Sequence, residues 1–292
     1  MRLPGGIVAL VGATSLMRPW SAANAQDRTA SLLAAERTIS EVSQGSGFRQ
    51  MIKQSLHPQG IVLWPGAPVL VGQADVDRFV AALPADSLHL TWKPLGVEVA
   101  DDSTLGITWG TAVNVPPGAT PSPQIGSYIT AWRRDSGHWA ISAMAFSGFL
   151  LPGAPLASGL ALSRRALPAT GNTASFVAAD LAFARLAGDS GAAVAFERWA
   201  SPAAVVFGNG GLLIHGPQAI GRTVAGTAAW KWHPVAAGAA HTGDLGWTVG
   251  EAVIKPVGGE PVYSKYLTIW TRLRQGGIRF LTDGGNARPK AP

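Results

Sequence analysis

Apolar residues recur at helical spacing in two stretches of the chain that lie 144 residues apart. In the first stretch these positions are Leu32, Leu33, Ala35 and Ile39, and in the second they are Phe176, Val177, Leu181 and Phe183. Because such spacing places apolar side chains on one face of a helix, each stretch is predicted to form an amphipathic helix. A second, shorter helix is predicted after each, over residues 48–56 and 192–199.

After each helix pair the pattern changes to short apolar runs separated by turn residues. One apolar strand is predicted over 60–64 and its counterpart over 203–207, followed by a helix at 74–83 and at 218–225. Four strands then close each half; in the first half they run near 88–99, 105–115, 126–134 and 138–145. Short turns between consecutive strands predict an antiparallel meander. Helices that precede the strands predict an α+β fold with the helices on one face of a curved sheet.

The two halves also share sequence. "TLGITWG" at 104–110 is echoed by "DLGWTVG" at 244–250, and "SYITAWRR" at 127–134 by "KYLTIWTR" at 265–272. In the second pair every other residue is identical, namely Tyr128, Thr130, Trp132 and Arg134 against Tyr266, Thr268, Trp270 and Arg272. Period two is the side-chain period of a strand, so one face has been kept and the other repacked. Alternate glycines in the first pair predict a bend or a close backbone approach.

This duplication predicts two tandem cone-shaped domains, each a curved antiparallel sheet wrapped around helices. The first spans residues 28–147 and the second 173–287, and a linker rich in Pro, Gly, Ala and Ser joins them over 148–172. We expect the two domains to pack against each other as an intramolecular pseudo-dimer, which would leave the chain monomeric.

Residues 1–25 have the pattern of a signal peptide. A positive residue, Arg2, precedes an apolar run over 7–17, and Ala23-Asn24-Ala25 forms a small-x-small cleavage signature. A buried N-terminal helix is the alternative, but the glycines and proline of this segment disfavour it. The prediction is a periplasmic or secreted protein with no membrane segment after signal cleavage; Arg18, after the apolar run, leaves an uncleaved anchor open.

The serial order of these motifs resembles a known family. The order is a Trp-x-Pro, then Gly-rich "DLGWTVG", then "KYLTIWTR", with "GHWAIS" closing the first half. It is similar to the SnoaL-like, ketosteroid-isomerase-like branch of the nuclear-transport-factor superfamily, and in particular to exported bacterial domains of unknown function. The first half departs at Thr104 and Ile107, and the second at Ile278, where the pattern has Trp. The resemblance implies a cone that encloses a pocket between sheet and helices, in a superfamily that holds both enzymes and proteins without chemistry.

Composition excludes several classes of function. The 292-residue chain contains no cysteine, which excludes disulfides and thiolate chemistry. Its formal charge of +6 is spread without a Lys/Arg-rich run, so no nucleic-acid partner is predicted. No phosphate-binding loop or nucleophile elbow is present, and the six histidines share no ligand spacing. We therefore predict neither a cofactor nor a metal site.

Acid–base chemistry has candidates in the second half only. Enzymes of the resembled family use a buried carboxylate or histidine as base and a tyrosine or neutral acid as hydrogen-bond donor. The candidates of this type are Glu251, Asp283, His233 and Tyr266. In the first half, Thr111 corresponds to Glu251, an apolar or small residue near Met144 to Asp283, and Lys93 to His233. Each also has a structural interpretation: an ion pair with Lys255 for Glu251, a turn for Asp283, an exposed edge for His233 and a structural hydrogen bond for Tyr266.

Tryptophans supply the remaining candidates. Those considered as lining of a ligand pocket are Trp92, Trp109, Trp132, Trp232, Trp247 and Trp270, and core packing is the competing interpretation for all of them. A Trp-lined pocket with few charges would suit a small apolar or aromatic ligand. The favoured hypothesis is a non-catalytic exported protein that binds such a ligand or a partner. The alternative is an isomerase- or lyase-type enzyme whose pocket lies in the second domain.

Overall fold

A computed structural model describes residues 22–83, 88–114, 124–147, 172–207, 213–226 and 229–290. The predicted signal peptide therefore lies outside the described residues except for 22–25, and so does the predicted linker except for residue 172. None of the described helices is long and apolar enough to span a membrane.

The first domain runs from one long helix to a six-stranded sheet. Its elements are α1 (Ala22–Ser55), β1 (Leu56–Leu63), β2 (Val69–Val71), α2 (Gly72–Ala81), β3 (Leu90–Val99), β4 (Leu105–Asn114), β5 (Gln124–Asp135) and β6 (His138–Ser147). The strand order across the sheet is β2-β1-β6-β5-β4-β3. Strands β3 to β6 form the predicted antiparallel meander, while β1 pairs with β6 in parallel.

The second domain repeats this arrangement element by element. It contains α3 (Ala174–Ser190), α4 (Ala192–Trp199), β7 (Ala200–Phe207), β8 (Leu213–His215), α5 (Pro217–Thr223), β9 (Ala229–Ala239), β10 (Leu245–Lys255), β11 (Val262–Arg272) and β12 (Ile278–Ala287). Its strand order, β8-β7-β12-β11-β10-β9, is the same as in the first domain. The predicted fold class, two tandem α+β cone domains, is thereby confirmed.

A glycine breaks the helical segment at the same place in both domains. Gly47 lies within α1 at φ 81° and ψ 160°, and Gly191 lies between α3 and α4 at φ 87° and ψ 155°. This left-handed backbone region is open to glycine and strained for other residues. The short helix expected from residue 48 is therefore the second part of α1, which follows the break at Gly47.

The strand face that the duplication retained is the face that packs on the helices. In the first domain Tyr128 and Trp132 lie in one buried cluster with Leu32, Phe48 and Met51 of α1. In the second domain Trp270 lies in a cluster with Phe176 and Phe183 of α3 and Phe196 of α4. Each domain thus has its own core inside its cone.

A third apolar cluster lies between the two sheets. Its first-domain members include Ile107, Trp109 and Ile129, and its second-domain members include Trp247, Leu267 and Ile269. These residues occupy the strand face that the duplication repacked, so the changed positions contact the other domain. The central strands β4, β5, β10 and β11 are therefore mostly buried on both faces, with helices on one side and the neighbouring sheet on the other.

Polar contacts join the domains at two ends of this cluster. At one end, Thr242 N donates to Asp102 Oδ2 at 2.8 Å and Asp101 N donates to Asp244 Oδ2 at 2.9 Å. At the other end, Asn286 Nδ2 donates to the carbonyl oxygens of Leu63 and Phe146 at 2.9 and 2.6 Å. Near it, Ser147 Oγ donates to the carbonyl oxygen of Gly285 at 2.9 Å.

Candidate ligand-binding cavity

The cone of the second domain contains a cavity of about 320 Å³. Its apolar lining is dominated by aromatic rings, which are Phe183, Phe196, Phe207, Trp230, Trp232 and Tyr266. Polar and charged side chains are fewer, and they are those of Thr223, Ser264, Lys265, Thr268, Asp283 and Asn286. A concave, mainly apolar site with a few polar groups has the character of a small-molecule site.

The matching region of the first domain is packed with side chains. Tyr128 pairs across the strands with Phe146, whereas Tyr266 pairs with Gly285. Phe146 is fully buried, and its ring lies 5.1 Å from that of Trp64 and 5.9 Å from that of Phe48, centroid to centroid. The exchange of a phenylalanine for a glycine removes a ring from the second cone and helps to open the cavity there.

A second exchange puts a carboxyl into that cavity. Thr130 pairs with Met144 in the first domain, and Thr268 pairs with Asp283 in the second. Asp283 lies within β12 rather than in a turn, and its Oδ2 accepts a hydrogen bond from Thr268 Oγ1. Burial raises the pKa of Asp283 to about 7, the Thr268 hydrogen bond opposes this rise, and the neighbouring carboxylate of Asp180 adds to it.

Asp180 lies beneath the cavity on α3 and is fully buried. Its two carboxyl oxygens accept hydrogen bonds from Trp232 Nε1 and from the Tyr266 hydroxyl, each at 2.9 Å. Burial raises the pKa of Asp180, and the hydrogen bonds from Thr248, Trp232 and Tyr266 limit the rise. One carboxyl, Asp283, therefore lines the cavity, and a second, Asp180, lies near it and disfavours its charge.

The first domain has a related carboxyl in its packed core. Glu36 on α1 is fully buried, and Tyr128, Thr108 and Trp92 lie around it. Burial raises the pKa of Glu36 to about 7, although these three neighbours lower it. Neither carboxyl oxygen has a partner in good hydrogen-bond geometry, and the same holds for the Tyr128 hydroxyl and the Trp92 indole. Burial therefore has a larger effect on the pKa of Glu36 than its three neighbours have.

Of the four acid–base candidates, the structure brings two together. Asp283 and Tyr266 both line the cavity of the second domain. Glu251 lies opposite Lys265 on β11 and forms an ion pair with Arg288 at 3.0 Å, not with Lys255. His233 on β9 is exposed and lies opposite Glu251.

The six candidate tryptophans fall into three environments. Trp232 lines the cavity. Trp109 and Trp247 lie in the cluster between the sheets. Trp92 lies in the first-domain core, and Trp132 and Trp270 are fully buried with indole nitrogens that donate to Thr108 and Thr248 at 2.9 and 2.8 Å. Trp247 and Ile107, which differ between the duplicated motifs, both lie in the cluster between the sheets.

Two charged groups near the cavity were not among the sequence candidates. One is Asp180; its only signal in the sequence is that it follows Ala179 as Glu36 follows Ala35 in the first half. The other is Lys265, whose fully buried ammonium donates to the carbonyl oxygens of Trp64 and Ala287 at 2.8 and 2.9 Å and to Asn286 Oδ1. Burial lowers the pKa of Lys265 to about 7, and Arg288 lowers it further while Glu251 opposes.

Among the described residues, no three His, Asp or Glu side chains converge in a way that would hold a metal ion.

Comparison with known proteins gives a likeness of fold. No protein-family model matches the chain, and no curated protein matches it. Among solved structures, a protein of the NTF2-like family from Streptomyces avermitilis is similar at 18% identity and a TM-score of 0.36, over 44% of this chain and 99% of that one. A ketosteroid isomerase-like protein from Erwinia carotovora atroseptica is similar at 12% identity and a TM-score of 0.37, over 43% and 98%.

A third similar structure has no activity in its description. It is an NTF-2 like protein of unknown function from Shewanella oneidensis, at 12% identity and a TM-score of 0.32, over 42% of this chain and 98% of that one. Each of these proteins is matched over nearly its whole length by less than half of this chain. These likenesses concern the fold alone, and they assign no activity.

Proposed function

We propose that the second domain binds a small, largely apolar molecule in its cone, and that the first domain serves as a packed scaffold. The observation that carries this proposal is the cavity of about 320 Å³ at the position where the first domain is filled by Phe146 and Met144. The aromatic lining supports an apolar or aromatic ligand, and Asp283 supports a single polar group on it.

A titration with an aromatic alcohol tests this proposal. Binding of 1-naphthalenemethanol is followed through tryptophan fluorescence, because Trp230 and Trp232 line the cavity. Ala252→Phe adds a ring to the lining and is expected to abolish binding. Ile125→Phe adds the same ring at an exposed position of the first domain and is expected to leave binding intact. Equal affinities for the two variants would contradict the proposal.

A second candidate function is acid–base catalysis of the isomerase or lyase type in the same cavity. The observation that favours it is the pKa of about 7 for Asp283, because a general base works best when its pKa lies near the working pH. In a substrate screen, Asp283→Asn is then expected to abolish any turnover that the wild-type protein shows. Glu251→Gln, on the opposite strand face, serves as the matched control, and turnover that survives Asp283→Asn would reject this candidate.

We also propose that the protein is exported and that cleavage follows Ala25. The support is the sequence pattern of residues 1–25. The mass of the mature protein from its native host tests the point, since an N-terminus at Gln26 is expected and an intact Met1 would contradict cleavage.

A further inference from the structure

The charge balance inside the second cone has a direct bearing on its ligand. The charge of Asp180, which is fully buried, disfavours charge on Asp283, which lines the cavity. Because loss of hydration and the nearby Asp180 carboxylate both oppose its ionisation, Asp283 tends to hold a proton near neutral pH. A positively charged ligand group at the same place would take over the role of that proton.

The protein itself offers little positive charge to this pair. Among the lining residues that the structure describes, Lys265 alone carries a positive charge, and its ammonium is held by Trp64, Asn286 and Ala287. His233, on β9, acts on Asp180 but is exposed. Tyr266 and Thr268, the other polar groups that face the carboxyls, are neutral hydroxyls that already donate to them.

The aromatic lining favours the same kind of ligand. Trp230 and Trp232 line the cavity, and their ring centroids lie 6.4 Å apart with planes at 83° to each other. Phe183 packs edge-on against Trp232 with centroids 4.7 Å apart. Aromatic faces attract a desolvated cation through their quadrupole, and tryptophan does so most strongly. An acid and several aromatic rings around one cavity therefore complement an ammonium group on an apolar body.

We propose that the ligand of the second-domain cavity is an organic cation, an ammonium group on an aromatic or aliphatic body, with its charge against Asp283. This inference rests on the proposed function of the cavity and names the chemical class of its ligand. Binding displaces the proton that Asp283 holds, so uptake of the cation is accompanied by release of a proton to solvent.

Three probes of one shape and different charge test the inference by calorimetry. They are 1-naphthylmethylamine, 1-naphthalenemethanol and 1-naphthoate, which present an ammonium, a neutral hydroxyl and a carboxylate on the same rings. The ammonium is expected to bind at least about tenfold more tightly than the alcohol, as for a charge-assisted hydrogen bond, and the carboxylate most weakly. Titrations in buffers of different ionisation enthalpy are expected to reveal proton release for the ammonium.

Two isosteric variants identify the group that recognises the charge. Asp283→Asn is expected to reduce the ratio of ammonium to alcohol affinity to about one. Glu36→Gln, which neutralises the related carboxyl of the first-domain core, is expected to leave that ratio unchanged. The melting temperature of each variant verifies that it is folded. The affinity of the ammonium for the wild-type protein should also rise between pH 6 and pH 8, as Asp283 loses its proton.

The outcomes separate the two proposals. Equal binding of ammonium and alcohol would overturn the cation inference and leave the proposed ligand cavity standing. A preference for ammonium that survives Asp283→Asn would overturn it as well, because the charge would then be recognised elsewhere. Failure of all three probes to bind would overturn the cation inference together with the proposal of a small-ligand cavity.

Discussion

A carboxyl on the first long helix of each domain lies beside a tyrosine of the sheet, and the two carboxyls differ by one methylene group. Asp180 accepts hydrogen bonds from Trp232 and Tyr266. Glu36 lies near Trp92 and Tyr128, but none of its contacts has good hydrogen-bond geometry. The same pair of sequence positions therefore carries a well-bonded acid in the domain with a cavity and a poorly bonded acid in the packed domain.

The first prediction concerns the pH dependence that Glu36 gives to stability. Its pKa rises on folding from 4.5 to about 7, so the folded state holds this proton more tightly than the unfolded state. The stabilisation of the folded state by protonated Glu36 is complete below about pH 4.5 and is lost as the pH rises through about 7. In Glu36→Gln, the fall in the free energy of unfolding between pH 5 and pH 8 should therefore shrink by roughly 2 to 3 kcal/mol. Urea denaturation at the two pH values measures it.

Asp180→Asn is the matched control for that variant. One amide oxygen cannot replace two carboxyl oxygens that accept from Trp232 and Tyr266, so this change should destabilise the protein by about 1–3 kcal/mol at pH 5. Glu36→Gln should cost less at that pH because Glu36 is protonated there. A wild-type pH dependence retained in Glu36→Gln would show that its carboxyl is not the titrating group.

Only part of the candidate site could be predicted from residues alone. Asp283 and Tyr266 were identified because they lie on strands with a period of two, and a strand face can be read from local sequence. Asp180 could not be assigned to the site, because its role depends on where a helix crosses a sheet some 86 residues further along the chain. Lys265 precedes Tyr266 on the same strand and lies on the opposite face, where its ammonium donates to the carbonyl oxygen of Trp64 in the other domain. A contact between domains cannot be predicted from a local sequence pattern.

At the scale of elements, the helix and the sheet of each domain meet at a glycine. A Cβ atom on Gly246 of β10 would lie 2.4 Å from the ring of Phe176 on α3, and one on Gly106 of β4 would lie 2.5 Å from Leu32 on α1. One glycine of each duplicated motif therefore permits a close approach of helix and strand, as the alternation of glycines predicted.

The second prediction follows from this approach. Gly246→Ala should lower the free energy of unfolding by about 1–3 kcal/mol, because Phe176 is fully buried and has no room to move aside. Gly188→Ala, at an exposed position of α3 with no atom within 4 Å of the added methyl, should instead raise it by about 0.5–1 kcal/mol. Chemical denaturation of both variants measures the difference, and equal effects would contradict the close contact.

The elements themselves were largely predictable, and their edges less so. Helix α1 begins at Ala22, well before the apolar spacing starts at Leu32. The residues between them are mostly compatible with a helix, but they carry no apolar stripe from which its start could be predicted. The parallel pairing of β1 with β6 was not predicted, since it joins strands separated by the whole meander.

At the scale of the whole molecule, the outer faces of the two sheets cover each other. The cluster between them contains Trp109, Ile129, Trp247 and Ile269, so each domain buries the face through which it could otherwise bind another copy. The third prediction is a monomeric chain, our proposed consequence of this internal contact. Light scattering coupled to gel filtration should give the mass of one chain at micromolar concentration, and a stable dimer would contradict it.

The fourth prediction concerns Asn286, which joins the domains beside the cavity. Its amide donates to two carbonyl oxygens of the first domain and accepts from Lys265. Asn286→Ala should therefore cost about 2 kcal/mol or more, because buried polar groups lose their partners. Ser147→Ala removes one exposed bond between the domains and should cost less than about 1 kcal/mol. Denaturation curves compare the two, and a smaller cost for Asn286→Ala than for Ser147→Ala would contradict this role.

Under the proposed function, two copies of one fold have divided their roles, with a ligand cavity in the second domain and a packed core in the first. The number of ligand molecules bound per chain at saturation, measured by calorimetry with 1-naphthalenemethanol or 1-naphthylmethylamine, tests this division. One molecule per chain is expected for the wild-type protein, and none for Ala252→Phe. Two molecules per chain, or one that Ala252→Phe does not remove, would contradict it.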